Sequence, residues 1–317
     1  MRILLVKTSS LGDVIHNLPV ASDLHRMFPE AIIDWCVEEG LAEIPRLHPA
    51  VERVIPVAIR RWRKQLCQTS TWRELAGFRR RLREQAYDVI LDTQGLVKSA
   101  SIARLARGRR CGYAAEAARE PLAARFYDAT FVIPRNVHAV TRNRWLSAAA
   151  FDYPVDLALD YGLASPPDEV GVLPGGDWVL LLTATSRDDK LWPEDDWCQL
   201  ARTLKQRGNT PVLPAGSRLE RERAERIAAA VGGAVVPPAL TLGQVATLLS
   251  RSRLAIGVDT GLAHLAAALD VPVIALHVST EPTLTGVLGN GFVRNLGGKG
   301  RRPSVAEVLA TVEQALR

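Results

Sequence analysis

The sequence predicts an α/β protein of two domains, each a parallel sheet covered by helices. Three observations carry that prediction. The chain has 317 residues, and at roughly 100 to 200 residues per domain such a length suits two cores better than one. Short aliphatic or β-branched runs alternate with longer stretches of helical spacing in both halves, the βα pattern of sheets built from crossover connections. Between the halves, 151–177 holds Pro154, Pro166, Pro167 and Pro174 with Gly162, Gly171, Gly175 and Gly176, and so many breakers resist any long regular element. The domains are therefore expected at 1–165 and 166–303, followed by a closing helix over 304–317.

Each element has its own reason. The runs at 3–6, 31–37 and 89–91 in the first half, and at 179–182, 254–258 and 273–276 in the second, are strand-length and rich in Val, Ile and Leu, which suits strands buried on both faces. Residues 74–84 and 221–231 repeat apolar positions at helical spacing. Pro193 followed by Glu194, Asp195 and Asp196 is a helix start, because proline fits the first turn and acids there complement the helix dipole. Ser304 and Glu307 stand at capping-box spacing ahead of an amphipathic run.

Composition narrows the class. With 47% hydrophobic and 23% charged residues the chain can bury a core, unlike a disordered one. No apolar run approaches the ~18 residues that span a bilayer, and the apolar stretch before Lys7 is too short for a secretory signal, so a cytosolic protein is expected. Cys36, Cys67, Cys111 and Cys198 stand alone, without metal-ligand spacing; reduced structural thiols, no metal and no cofactor are expected. The excess of 40 basic over 34 acidic residues lies wholly in the first half, where residues 1–165 count 24 against 18 and residues 166–317 count 16 against 16. An anionic partner of the first domain follows, whether nucleic acid, acidic lipid surface or acidic substrate.

Three loops that follow strands can carry chemistry. Lys7-Thr8-Ser9-Ser10-Leu11-Gly12-Asp13 places a carboxylate near a helix start, where Asp13 can accept a proton or simply complement the dipole. Thr185, Ser186 and Lys190 follow the strand at 179–182 and offer two hydroxyls and a cation to phosphate oxygens. Asp259-Thr260-Gly261 turns a strand into an alanine-rich helix whose first N–H groups make an anion site, with His264 one turn in, facing either that site or the sheet. No G-x-G-x-x-G occurs, which counts against a dehydrogenase. The densest basic stretch runs from Arg60 to Arg83, nine Lys/Arg against Glu74 alone. Within it Arg60-Arg61-Trp62-Arg63-Lys64 suits an anionic substrate or membrane interface, with the Trp62 ring at the boundary. No nucleic-acid-binding motif accompanies the charge.

Taken together, these segments resemble the ADP-heptose:lipopolysaccharide heptosyltransferases. The Lys7–Asp13 loop and the Asp259-Thr260-Gly261-Leu262-Ala263-His264 turn look like that family's paired signatures. Asp92-Thr93-Gln94-Gly95-Leu96-Val97-Lys98-Ser99, Ile59-Arg60-Arg61-Trp62-Arg63-Lys64 and Ala118-Arg119-Glu120-Pro121-Leu122-Ala123 look like its heptosyltransferase I branch. Five such segments in order cover nearly the whole chain.

The resemblance implies a GT-B glycosyltransferase with two Rossmann-like domains facing across a cleft and a last helix returning to the first domain. It implies inverting transfer of L-glycero-D-manno-heptose from ADP-heptose to the first Kdo of Kdo2-lipid A, without an obligatory metal. The enzyme would be peripheral on the cytoplasmic face of the inner membrane, with no nucleic acid and no obligatory protein partner. Carried over by position, Asp13 is the general base and Lys190, with Thr185 and Ser186, the phosphate group. Glu220 is the ribose carboxylate, with Glu222 nearby, and Asp259, Thr260, Gly261 and His264 form the donor turn. Lys7, Ser10, Arg60, Arg63, Lys64 and Arg119 fall on the acceptor side. Leu240 departs from the methionine that relatives carry near the adenine. The alternatives are a sister enzyme adding the second heptose, which the Gln94–Ser99 segment disfavours, and a non-catalytic nucleotide-binding protein docked on anionic membrane.

Overall fold

The computed structural model describes residues 1–164, 175–185 and 187–317, and the chain divides into two compact units, Met1–Ala164 and Ser165–Arg317. The first holds six strands: β1 (Arg2–Val6), β2 (Ile32–Glu38), β3 (Val51–Val57), β4 (Ala86–Asp92), β5 (Arg107–Tyr113) and β6 (Ala129–Phe131). They lie side by side in the order β3-β2-β1-β4-β5-β6, every neighbour parallel. The second holds β7 (Trp178–Leu182), β8 (Thr210–Val212), β9 (Leu254–Val258), β10 (Val273–His277) and β11 (Val293–Gly297), ordered β11-β10-β9-β7-β8 and again all parallel. A parallel bridge from Val212 to Val235 extends that sheet past β8. Both sheets therefore run 3-2-1-4-5-6, the Rossmann order.

The order reverses once in each sheet, between β1 and β4 and between β7 and β9. At such a point the flanking loops diverge and leave a crevice outside the carboxyl ends of the strands. The central strands are the ones that the aliphatic runs predicted, because burial on both faces demands continuous apolar sequence; Ile3 to Val6 and Val179 to Leu181 are fully buried. Strands β3, β5, β6, β8 and β11 had no such signal. They lie toward the sheet margins, and β5 in particular carries Arg107, Arg109 and Arg110.

The closing helix, Val305–Ala315, is capped as its sequence predicts, with the Ser304 side chain accepting from the Glu307 N–H. Val305, Val308 and Val312 are buried with Ile274, Leu276 and Leu200 in the core of the second unit. Valines at this spacing make one apolar stripe, and that stripe covers β10 and the Glu194–Gln206 helix.

Gly112 in β5 shows how tightly the first sheet is closed. A Cβ there would meet three Tyr127 ring carbons at 2.3 to 2.6 Å, and the Tyr127 hydroxyl donates to Asp92 Oδ2 at 2.7 Å. Gly112→Ala is expected to cost about 1 to 3 kcal/mol by overpacking and to lower the thermal midpoint by several degrees. An unchanged midpoint by calorimetry would show that the ring has room to move.

Candidate active site

In the first unit two loops meet at the β1/β4 reversal. The loop after β4 is organised by Asp92, whose Oδ1 accepts from the N–H groups of Gln94 and Gly95 at 2.8 and 3.3 Å. Gly95 adopts φ +66°, a left-handed conformation that glycine tolerates best, and a Cβ there would press on the Tyr113 ring at 3.1 Å. Gln94 then ties this loop to the one after β1: Thr8 donates to its Oε1 through N–H and Oγ1 at 2.8 and 2.7 Å, and its Nε2 donates to the Ser9 carbonyl at 2.6 Å. Lys98 adds a contact to Ser9 Oγ at 2.8 Å.

Asp13 projects beside this junction from the short Leu11–Ile15 helix, where its Oδ2 accepts from the Ser10 N–H at 3.0 Å and from Ser10 Oγ at 3.3 Å. Arg119 grips the same carboxylate with both terminal nitrogens, at 2.7 and 3.3 Å. The neighbouring Glu120 fixes Arg119 in place: its N–H donates to the Gly95 carbonyl at 3.0 Å and its carboxylate accepts from the Val97 N–H at 2.7 Å. Lys7 is buried behind, its Nζ donating to the Thr93 carbonyl at 2.8 Å and to Asn143 Oδ1 at 3.3 Å. Arg142 completes the wall, stacked over the Tyr113 ring at 4.8 Å. Lys7, Asp13, Gln94, Tyr113, Arg119 and Arg142 line one small cavity.

Three cations thus surround one carboxylate. Burial alone would raise the Asp13 pKa, but the charges of Lys7 and Arg119, with the Arg119 and Ser10 hydrogen bonds, outweigh it and hold the group well below the usual carboxylate range. Burial lowers Lys7 to about 8, against the pull of Asp13 and with the push of Arg119. The cavity keeps a net positive charge and an ionised carboxylate at neutral pH, so it can receive an anionic molecule and accept a proton from it.

The basic stretch divides in the structure. Arg61 pairs with Glu39 and Glu74 at 3.0 and 2.8 Å. Trp62 is buried, packs on Phe78 at 5.7 Å and donates to Glu74 at 2.8 Å, so it is a core residue and not the interface ring its neighbours suggested. Arg60, Arg63 and Lys64 point outward and are exposed. They touch neither Asp13 nor Arg119 through any hydrogen bond or ion pair among the described residues.

The second unit repeats the logic at the β7/β9 reversal. Thr185 Oγ1, just past β7, donates to the Asp259 carbonyl at 3.0 Å, and Lys190 Nζ pairs with Asp259 Oδ2 at 2.7 Å. Burial would raise the Asp259 pKa, but the Lys190 hydrogen bond and charge bring it down. Thr260 starts the Gly261–Ala268 helix without capping it by its side chain, which leaves the first N–H groups to an anion. His264 is buried on that helix. Ser186 lies outside the described residues. Glu220 sits past β8 in the first turn of the Arg218–Val231 helix, where its Oε2 accepts from the Gly216 N–H at 2.8 Å, whereas Glu222 is engaged by Arg218 at 2.7 Å. Neither glutamate meets the Lys190–Asp259 pair through a hydrogen bond or ion pair among the described residues.

A family model described as glycosyltransferase family 9 (heptosyltransferase) matches residues 75–308. The chain belongs to glycosyltransferase family 9. It is 48% identical over 295 residues to lipopolysaccharide heptosyltransferase 1 of Pseudomonas aeruginosa, covering 92% of this chain and 83% of the relative. The solved structure of E. coli heptosyltransferase WaaC with ADP superposes at a TM-score of 0.92 with 42% identity, over 99% of this chain and all of that one. The structure of WaaC with ADP-2-deoxy-2-fluoro heptose gives 0.88 and 40%, over 99% of each. A relative named lipopolysaccharide heptosyltransferase 2, from Salmonella typhimurium, is 26% identical over 90% of this chain and 85% of its own length, so the heptosyltransferase I branch is favoured. The protein is a glycosyltransferase with the two parallel sheets of the GT-B class.

Asp92, Gln94 and Lys98 stand in a segment that carries the family resemblance, but nothing local in the sequence gives them a place in the site. Tyr113, Arg142 and Asn143 stand outside every such segment. Arg142 and Asn143 lie on the Ala139–Phe151 helix, which carries no local signature, and only tertiary packing brings them to Asp13.

The Lys7 ammonium gives the site a pH signature. As pH rises through about 8, Lys7 loses its proton and the cavity one unit of positive charge, so kcat/KM toward an anionic acceptor should fall on the alkaline side. Lys7→Met should remove that limb from the pH profile. An identical limb in the variant would assign the titration to another group.

Proposed function

We propose that the protein transfers L-glycero-D-manno-heptose from ADP-heptose to the first Kdo of Kdo2-lipid A, with inversion, in assembly of the lipopolysaccharide inner core. The observation that carries this reading is the ionised Asp13 carboxylate held among Lys7, Arg119 and Arg142 at the β1/β4 reversal. A carboxylate ringed by cations suits an acceptor that is both a nucleophile and an acid, as a Kdo sugar is. The donor reading rests on Thr185, Lys190 and the Gly261 helix start, and on the ADP and ADP-2-deoxy-2-fluoro heptose in the related WaaC structures.

In the reaction the Kdo hydroxyl oxygen attacks the anomeric carbon from the face opposite ADP, Asp13 takes the hydroxyl proton, and the anomeric carbon–oxygen bond to ADP breaks. One displacement needs one carboxylate base. Because Asp13 is a weak base while Arg119 grips it, acceptor binding must draw Arg119 onto its own anionic groups. The carboxylate then recovers basicity when the hydroxyl is in place. Negative charge growing on the diphosphate falls to Lys190, Thr185 and the N–H groups at Gly261, with Ser186 assigned the same role from its sequence position, and preset dipoles of this kind supply much of a rate enhancement. No obligatory metal is proposed, since these groups already bring positive charge to the leaving group. Glu220 is assigned to the ribose, and His264, Asp259 and Thr260 to shaping the donor turn. Ser10, Arg60, Arg63 and Lys64 are assigned with Lys7 and Arg119 to the acceptor.

No helix among the described residues is long and apolar enough to cross a membrane, and the enzyme is proposed to work as a peripheral protein at the cytoplasmic face of the inner membrane. Incubation with ADP-heptose and either Kdo2-lipid A or its once-heptosylated product tests the reaction. A mass gain of one heptose on the first acceptor alone is expected, and a gain on the second alone would move the enzyme to the next step. Asp13→Asn should keep donor affinity and lower kcat by ~10²-fold or more; near-normal turnover would remove Asp13 as base. Lys190→Ala should weaken ADP binding by about 1.5 to 3 kcal/mol, measured by calorimetry, and unchanged affinity would place the diphosphate elsewhere.

A further inference from the structure

We propose that Leu66 and Trp72 form an apolar wedge, flanked by Arg63, Lys64 and Arg73, that inserts into an anionic lipid bilayer surface. This rests on the reading that the acceptor is presented on lipid. The two side chains are 52% and 60% exposed, among the largest apolar side chains left in water. They belong together: the Trp72 indole N–H donates to the Leu66 carbonyl at 2.9 Å, which satisfies the ring's one polar atom and leaves its face free. The fold fixes this orientation. Thr71, Phe78 and Leu82 turn inward from the Thr69–Arg83 helix, and Thr71 Oγ1 donates to the Gln65 carbonyl at 2.8 Å, so Trp72 in the first turn must face out.

Charge selects the occupant. Arg63, Lys64 and Arg73 are exposed and have no ion pair among the described residues, because the nearby carboxylates Glu39 and Glu74 are taken by Arg61. Apolar side chains within a cationic collar fit an anionic interface, where the ring and the aliphatic chain leave water and the cations meet phosphates. Leu66 offers a nucleic acid neither stacking nor hydrogen bonding, and it gains only by leaving water. Position agrees. The segment follows β3 directly and so lies at the carboxyl end of the first sheet, the end that carries Asp13. The Thr69–Arg83 helix then runs back toward the start of β4, and Arg79 to Arg83 are carried about 10 to 17 Å along its axis from Trp72, outside the wedge.

The test uses the full chain with vesicles of equimolar phosphatidylglycerol and phosphatidylcholine. Wild type should cosediment with them, release on added salt and ignore pure phosphatidylcholine. The double variant Leu66→Ser/Trp72→Ser should partition about tenfold less or weaker still, with turnover on detergent-dispersed acceptor as in wild type. Should the double variant misfold, Trp72→Phe decides: it should still bind, and the quenching of tryptophan fluorescence by brominated lipid seen in wild type should drop. Undiminished partition of a folded double variant, equal binding to neutral vesicles, unchanged quenching in Trp72→Phe, or tighter binding to single-stranded DNA would each overturn the wedge. Vesicle binding without heptosyl transfer would sink the proposed reaction and leave this surface standing. Transfer to dispersed acceptor without vesicle binding would sink the surface alone.

Discussion

The buried Asp92 carboxylate is the constraint on which the first unit's site depends. A carboxylate at full burial is costly unless its oxygens are met by donors, and here the Tyr127 hydroxyl and the N–H groups of Gln94 and Gly95 meet them. Those donors cannot be supplied without folding the loop after β4 into one shape. That shape presents Gln94 to Thr8 and Ser9, which sets the loop carrying Asp13, and presents the Gly95 carbonyl to Glu120, which sets Arg119. The Asp13 carboxylate and its Arg119 cation are thus positioned through two arms of one buried group. Burial pushes the Asp92 pKa up, yet an Asp92 protonated on Oδ2 would still accept from the Gln94 and Gly95 N–H groups on Oδ1 and could donate to the Tyr127 oxygen, so the scaffold tolerates that push better than a catalytic group would.

The two units apply one electrostatic device twice. At each reversal of strand order a carboxylate is held by a cation from another loop, Asp13 by Arg119 and Asp259 by Lys190. Such a pair keeps two polar groups satisfied when no ligand is present, and an arriving anion competes for the cation. The exchange is close to balanced, because a lost ion pair is replaced by another of similar kind. Affinity then comes from contacts around the pair, and the pair itself contributes selectivity for charge. The arginine in the first unit suits a bidentate partner such as a carboxylate, whereas the lysine in the second acts as a point charge.

How much of this was legible in the sequence follows from where each signal resides. Central strands were visible because burial on both faces writes an uninterrupted aliphatic run, and marginal strands were not, since β5 and β11 use arginine and asparagine at positions that are not fully buried. Asp13, Lys190 and Asp259 stood in short strand-to-helix loops, and their gathering at the reversals follows from sheet order. Arg142 and Asn143 left no mark, because nothing local distinguishes them from other polar residues on a helix. The closing helix is legible in another way: its cap and stripe were plain, but a stripe does not name the core it covers, and only the structure shows its valines among those of the second unit.

The basic stretch was the least decodable part, for a physical reason. Charge density along a sequence says nothing about which cations a fold neutralises. Glu39 and Glu74 neutralise Arg61 at the surface, and the indole of the buried Trp62 donates to the same Glu74. With those two carboxylates taken and Trp62 turned into the core, Arg63, Lys64 and Leu66 are the residues of this stretch that stay exposed. The tryptophan that sequence proximity nominated for an interface is thereby the one the core needs. The one available to an interface is Trp72, ten residues on, with a single arginine adjoining it in sequence. A surface of this kind becomes visible only when the inward partners have been accounted for one by one.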